Sequence, residues 1–362
     1  MSITYIDTID LKNKTILLRV DFNVSLNETS HAIANDERVH GALPTIKHLL
    51  AGGNKLVLCS HLGQPKGYDE SVGLDNVAIR LQKFLDVDVT FYDYDPTHTA
   101  DENLATWSAA IKALPFPAVA LIDNLRYFPG EKSNDPAFAK ALASLAEVYV
   151  GDAFGVAHRP DASVVGVPAL LPHYGGLLMK KEIEMIGGLM QSPKHPFIAV
   201  IGGAKVETKL GLITKLADLA DLVLVGGKLA LESGLPEHPA IVRPVDYIYG
   251  EDKVAYDIGP ETVKKYTEIL ASAKTIMWNG PMGKNEDPHY AGGTRGVYEA
   301  IVANASAVSI IGGGDTITAL ADATHLEKIT HLSTGGGAML EYIEKGSLPG
   351  IEALLTHSRN SQ

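Results

Sequence analysis

The chain has a single cysteine, Cys59, in 362 residues, so it can form no intramolecular disulfide, which suits a reducing compartment. It lacks any apolar run long enough to cross a bilayer, and its N-terminus lacks the basic and apolar regions of a signal peptide. These absences lead to the expectation of a cytoplasmic chain with no membrane partner. An excess of basic residues is also missing: 31 Lys and Arg stand against 43 Asp and Glu, a net charge of −12. That argues against a nucleic-acid surface and leaves room for a small anionic substrate held by a local cluster of Arg and Lys. Short repeats and low-complexity tracts are absent. So are GxxxxGKS, GxxxxGKT, HExxH and a well-placed GxGxxG, which argues against a Walker-type phosphate loop, a zinc site and dinucleotide binding.

What is present is a globular composition, 46% hydrophobic and 20% charged, in a chain long enough for two domains. Apolar runs of about five to seven residues alternate with longer amphipathic stretches, the pattern of parallel sheets with helical crossovers. The strand candidates are "TILLRV", "KLVLCS", "DVTFY", "AVALID" and "VYVGD" in the first half. In the second half they are "FIAVIGG", "LVLVGG", "TIMWNG", "VSIIGG" and "ITHLS". "DERVHGALPTIKHLLAGG" places Val39, Leu43, Ile46 and Leu50 at helical spacing, with Gly52 ending the pattern. Between the halves, "LPHYGGLLMKKEIEMIGGLMQSPKHP" reads as a connecting helix over about 176–190 with hinge points.

Glycine is the abundant residue, 35 in all, and it is clustered. Four strand ends share one construction: "IGGAK", "VGGKLA", "IGGGDT" and "STGGGAM". Ligands of open parallel sheets bind outside the carboxyl ends of the strands. Glycine there lets the backbone approach phosphate oxygens, and a helix starting next directs free N–H groups at the anion. One such cluster is equally well a tight turn; four at one rim of one domain favour phosphate. Asp315 stands where a helix begins, either as its N-cap or as a carboxylate for the Mg²⁺ of a nucleotide. Lys205 and Lys209, four apart in "IGGAKVETKL", would share one face of a helix, with Glu207 turned elsewhere.

The first half carries Arg19, Asp21, Asn23, Arg38, His61, Arg126, His158 and Arg159, most of them just after a strand. The planar fork of Arg suits a phosphate or carboxylate. For each alone, a surface ion pair or a structural histidine is the commoner reading.

The motifs "LLRVDFNV", "SHLG", "DNLR", "GDAFGVAHR", "LLMKKEI", "IGGAKVETKL", "DIGPET", "TIMWNGPMG", "GGGDT" and "STGGGAMLEYIE" stand in the order seen in phosphoglycerate kinases. From about Leu17 to Leu354 the chain resembles that family. The resemblance implies an α/β fold of two Rossmann-like domains, each a parallel sheet flanked by helices, joined by an interdomain helix and hinge. Residues 1–172 would bind phosphoglycerate and 173–352 the nucleotide, with a tail over 353–362 packing back on the first domain. The implied reaction is reversible phosphoryl transfer between 1,3-bisphosphoglycerate and MgADP, giving 3-phosphoglycerate and MgATP, by a monomer whose domains close about the hinge.

By the same resemblance, Asp21, Asn23, Arg38, His61, Gln64, Arg126 and Arg159 fall at the phosphoglycerate site. Gly203, Lys205, Lys209, Gly226, Asn279, Glu286, Gly312, Gly313, Gly314, Asp315 and Thr316 fall at the nucleotide site, with Asp315 serving the metal. Arg38, Lys205, Gly313 and Gly336 would surround the moving phosphoryl, the helix start Gly335 to Gly337 pointing N–H groups at it. A phosphoryl transition state needs positioning and cationic neutralisation more than covalent help, which these groups supply.

The chain also departs from the pattern. Gln64 stands where the family shows Arg, Ser25 where it shows Pro, Gly151 where it shows Asn, and Lys284–Asn285 where it shows Val-Phe. "EKGSLPG" inverts the usual Gly-Lys order, and a longer family segment has nearly vanished between about 231 and 252. Gln64 is expected to weaken anion binding and the short segment to open part of the adenosine site. The competing reading is a catalytically impaired relative that binds nucleotide or phosphate.

Overall fold

The computed structural model describes residues 2–27, 32–204, 209–320 and 323–356. It divides into two compact units, one of residues up to Lys181 together with those from Ser347, the other of Glu182–Gly346. These divisions differ from 172/173 and 352/353, and the hydrogen bonds show why. Helix Leu177–Gln191 starts on unit 1, where Thr45 Oγ1 accepts from Leu177 N and Asp152 Oδ1 from Leu178 N and Met179 N. After Ser347 the chain is held by Gly350 N donating to Ala157 O, and Leu355–Thr356 pairs antiparallel with Ser2–Ile3.

Unit 1 is built on a six-stranded sheet of β1 (Thr15–Arg19), β2 (Lys55–Cys59), β3 (Val89–Tyr92), β4 (Ala118–Ile122), β5 (Val148–Gly151) and β6 (His173–Gly175). All pairs are parallel, in the order β3-β4-β2-β1-β5-β6. The central strands are near-continuous apolar runs because helices cover both faces. Ile16, Leu18, Leu56, Leu58, Val119 and Leu121 meet Val39, Ile46 and Leu49 of helix α1 (Glu37–Ala51) in one core. Each such side chain contributes about 1.5–3 kcal/mol by leaving water.

Unit 2 repeats the design with β7 (Phe197–Ile201), β8 (Leu222–Val225), β9 (Ile241–Val242), β10 (Thr275–Asn279), β11 (Val308–Gly312) and β12 (His331–Ser333). The order is β9-β8-β7-β10-β11-β12, again all parallel. From β7 the chain moves outward to β8 and β9, then returns to β10 and moves the other way. The carboxyl ends of β7 and β10 therefore flank a topological switch point, where open α/β sheets form their ligand crevice. The helices after β7, β11 and β12 are Leu210–Leu219, Gly314–Ala319 and Gly336–Lys345.

All ten expected strands are present. Beyond the two sheets, Tyr247–Tyr249 and Ala255–Ile258 form a hairpin, and Ser25–Leu26 pairs with Ile33–Asn35.

Candidate active site

In unit 1 the loops after β1, β2, β4 and β5 share one edge because those strands are parallel neighbours. Short side chains tie the loops together. Ser60 Oγ accepts from Phe22 N at 2.8 Å and donates to Val20 O at 2.9 Å. Asn23 Oδ1 accepts from Gly63 N at 2.9 Å. Asn124 accepts from Leu62 N and Arg126 N and donates to Leu62 O and Val72 O.

On this frame sit the charged groups. Asp21 is buried, accepts from Asn23 N at 3.1 Å, and forms an ion pair with Arg38 Nη1 from the first turn of α1. Burial opposes its ionisation, but the Arg38 guanidinium, the Asn23 N–H and Arg19 prevail and hold its carboxyl below the usual range. His61 is 1% exposed. Burial, with Arg19, Arg126 and Arg159 nearby, depresses its pKa well below the ordinary value, so the ring is neutral. Arg126 is buried with Nη2 2.8 Å from Asp161 Oδ2. His61 Nε2 and Arg126 Nε are buried with no partner among the described residues. Arg159 is half-buried with Nε against His158 Nε2, and Gln64 is exposed.

In unit 2 the glycine-rich strand ends meet. Gly202 N donates to Asn279 O, Gly203 N to Pro281 O and Gly226 N to Ile201 O, at 2.8–3.0 Å. Asn279 Nδ2 donates to Gly312 O at 2.9 Å, and Thr316 Oγ1 accepts from Gly280 N at 2.7 Å. Gly313 has φ of +110°, a left-handed conformation that a side chain would strain. A Cβ on Gly336 would lie 2.4 Å from the Gly313 Cα, so these two loops approach backbone to backbone. Gly314 is exposed and nothing lies where a side chain would project from it or from Gly337.

Three expectations are corrected or bounded here. Lys205 and Glu207 lie outside the described residues. Lys209 is not inside a helix: it occupies the N-cap position of Leu210–Leu219, and its buried Nζ donates to Gly202 O at 2.6 Å. The ammonium is drawn to a strand-end carbonyl instead of a helical face. Asp315 does not cap its helix, which begins one residue earlier at Gly314 with Gly313 as N-cap. Its carboxylate is exposed in the first turn, as is Glu286 on its loop.

The departures have local accommodations. A Cβ on Gly151 would meet Leu354 at 3.1 Å, so the C-terminal segment fills that space. Lys284 donates its N–H to Tyr256 O and sets Nζ 5.1 Å from that ring, and Asn285 Nδ2 donates to Gly283 O. Gly346, left-handed at φ +79°, closes Gly336–Lys345 by donating to Tyr342 O.

Ser60, Asn124, Glu131, Asp161 and Ser163 were not foreseen as site builders. Ser60 and Asn124 stand inside the motifs "SHLG" and "DNLR" beside the residues singled out, whereas Glu131, Asp161 and Ser163 stand in none of the quoted motifs, and the partners lie up to 144 residues away.

Two parallel α/β units, one with an arginine–histidine rim and one with a glycine rim, present donor sets suited to anionic ligands. The family model for phosphoglycerate kinase matches residues 6–233 and 234–346. A phosphoglycerate kinase of Dictyoglomus turgidum is 39% identical over 391 aligned positions, covering 95% of this chain and 96% of the relative. The cytosolic phosphoglycerate kinase 3 of Arabidopsis thaliana is 38% identical, with 95% and 96% covered. Among solved structures, phosphoglycerate kinase from Pyrococcus horikoshii superposes with a TM-score of 0.85 at 31% identity, covering 97% of this chain and 98% of that one. The enzyme from Coxiella burnetii gives 0.80 at 30% identity, with the same coverage. The chain belongs to the phosphoglycerate kinase family, and is thus a phosphotransferase with a carboxyl-group acceptor. The family match is interrupted at 233/234, within the region expected to be shortened.

Proposed function

We propose that the chain catalyses reversible phosphoryl transfer between the acyl phosphate of 1,3-bisphosphoglycerate and MgADP, yielding 3-phosphoglycerate and MgATP, as a cytoplasmic monomer. Unit 1 takes the glycerate and unit 2 the nucleotide. The observation that carries this is the pair of buried donors without partners, His61 Nε2 and Arg126 Nε, on a rim that also holds Arg38 and Arg159. A buried donor left unsatisfied costs about 1–3 kcal/mol, which an anionic ligand would recover.

In this reading Asp21 orients Arg38 toward the substrate, and Asn23, His61, Arg126 and Arg159 hold its phosphate and carboxylate. Gln64 adds a neutral contact where an arginine would add charge. Gly203, Gly226 and Gly312–Gly314 admit the nucleotide phosphates at the switch point, with Thr316 and Asn279 bracing the loops and Lys209 neutralising charge. Lys205 reaches the phosphoryl in flight, Gly336 directs N–H groups at it, and Glu286 reaches the ribose. Charge that spreads over three equatorial oxygens is then met from several sides. The substrates are on separate units, so in-line transfer follows closure about the hinge, which also excludes water.

Among the described residues no three acidic, His or Cys side chains cluster to hold a metal by themselves. One exposed carboxylate at Asp315 fits Mg²⁺ arriving on the nucleotide, since Mg²⁺ is commonly held by one or two carboxylates plus phosphate oxygens and water. Bound there, it would offset charge on the nucleotide phosphates. A coupled assay with pure protein, Mg²⁺, ATP and 3-phosphoglycerate tests the proposal. Absence of turnover sinks it, and calorimetry with each ligand then separates an impaired binder from an inert fold.

A further inference from the structure

Arg19 ends β1 at the centre of the unit 1 rim, yet it is 1% exposed. Its donors are directed inward. Nε donates to Ser163 Oγ at 2.8 Å, Nη1 to Val20 O and, at 3.5 Å, toward Ser60 Oγ. Ser163 passes the contact on, its Oγ donating to Glu131 Oε1 at 2.6 Å and its N to Glu131 Oε2 at 3.0 Å. Glu131 is fully buried, and its carboxyl lies one hydroxyl away from the guanidinium. The remaining nitrogen, Nη2, lies 3.3 Å from His61 Nδ1.

A guanidinium has five N–H donors and no acceptor. The His61 nitrogen that faces it must therefore present a lone pair. In a neutral imidazole the other nitrogen then carries the proton. That other nitrogen, Nε2, is the one buried without a partner among the described residues.

We infer that Arg19 is a positioning residue that touches no substrate: its buried guanidinium fixes His61 as the neutral Nε2–H tautomer. His61 thereby becomes a directed hydrogen-bond donor for an oxygen of the phosphorylated glycerate. The inference rests on the reading of unit 1 as the glycerate site. The charged groups acting on the ring are consistent with it. Arg19, Arg126 and Arg159 oppose a second proton, and the one acid, Asp21, is engaged by Arg38.

Long-range ¹H–¹⁵N correlation on the imidazoles of the full-length protein tests this, with His61 assigned by loss of its signals in His61→Gln. The expected result is a pyridine-type Nδ1 and a protonated Nε2 at about pH 7, with any titration falling well below that of an ordinary histidine. A protonated Nδ1, or a ring that titrates near its ordinary pKa, overturns the inference. Added 3-phosphoglycerate should shift the Nε2 proton. If the tautomer is as stated but the ring ignores 3-phosphoglycerate, the glycerate reading of unit 1 falls and the Arg19–His61 pairing stands. Arg19→Met should mix the tautomers and raise KM for 3-phosphoglycerate about tenfold, the loss of one good hydrogen bond. KM for ATP should not change, and Arg19→Lys, which keeps a donor, should recover part of the effect. Equal KM increases for both substrates would make Arg19 merely structural.

Discussion

Glu182 and His331 form a buried pair within unit 2, with 2.8 Å between Oε2 and Nε2. The carboxylate can only accept, so the ring donates. The other oxygen, Oε1, accepts from Thr334 N at 2.8 Å and Thr334 Oγ1 at 3.0 Å. Thr334 directly precedes the Gly335–Gly336–Gly337 helix start, so one carboxylate on the connecting helix sets the position of that loop. Removing it should be costly. Glu182→Ala is expected to lose about 3–5 kcal/mol of stability, the usual result of breaking a buried pair from one side. Glu182→Gln should lose much less. Its oxygen can keep Thr334, and His331 can move its proton to Nδ1, which has no partner among the described residues in either case. Denaturant unfolding of both variants checks this, and equal losses would refute it.

The pH dependence of stability has a predictable component at Asp152. Burial pushes this carboxyl up to about 7, against hydrogen bonds from Thr45, Met179 and Leu178. Its Oδ2 has no partner among the described residues. Between about pH 4 and about pH 7 the folded chain therefore holds a proton that the unfolded chain has released. This group's contribution is complete below the unfolded pKa and is lost as pH rises through the folded one. Asp152→Asn keeps a carbonyl for the helix N–H groups and cannot ionise. The variant should gain on wild type by about 1.4 kcal/mol per pH unit over that window, and level off above it. Asp123 and Asp257, pushed up to about 6 by burial, act in the same sense in both proteins and cancel in the difference. Unfolding free energies at a series of pH values would show it, and a flat difference would remove Asp152 as the cause.

The extent to which the sequence was legible follows from these cases. Strands such as Leu17–Leu18 in β1 or Val57–Leu58 in β2 are buried on both faces and announce themselves as apolar runs. The pairs Ile241–Val242 with β8 and Ser2–Ile3 with Leu355–Thr356 are two residues long and have no period to read. At the site, placement just after a strand was visible for Asp21, His61 and Arg126. The bonds that orient them were not, because Arg19 meets Ser163 and Arg126 meets Asp161 only once the sheet has formed. Helix starts were the weakest inference. Asp315 shifted relative to its helix because the left-handed Gly313 takes up the turn as the N-cap, and Lys209 stands just outside its helix at the N-cap position.

The strand-end glycines permit a direct test. Gly313→Ala places a methyl group at φ +110°, with Asn279 Nδ2 and Thr316 Oγ1 each 3.0 Å away. Both atoms hold neighbouring loops and can yield slightly, so strain dominates, at about 1–3 kcal/mol. Gly336→Ala sets its methyl against Gly313 backbone at 2.4 Å, which cannot swing aside. The loops must part, and nucleotide binding should fall more than stability does. By contrast, Gly314→Ala meets nothing and should be close to neutral for folding. Thermal melts with calorimetric nucleotide titrations would rank the three, and a Gly314→Ala loss as large as that of Gly336→Ala would contradict the geometry.

Arg38 and Asp21 provide the last test, of chemistry more than folding. Their ion pair joins the first turn of α1 to the loop after β1, with Asp21 buried and Arg38 partly exposed. Arg38 is thus the half able to reach a ligand, and Asp21 the half that aims it. Arg38→Ala should lower kcat on the order of a hundredfold, the scale for losing one donor to developing charge. Asp21→Asn keeps the shape and the Asn23 contact but not the charge, so it should lower kcat less and leave KM for ATP alone. The two effects should not add, because each removes the same aimed guanidinium. Steady-state kinetics of both variants and the double variant in the coupled assay decides. If the double variant shows the product of the single losses, Asp21 acts independently of Arg38. If Arg38→Ala changes only KM for 3-phosphoglycerate, then Arg38 binds substrate equally in ground and transition states and takes no part in the transfer.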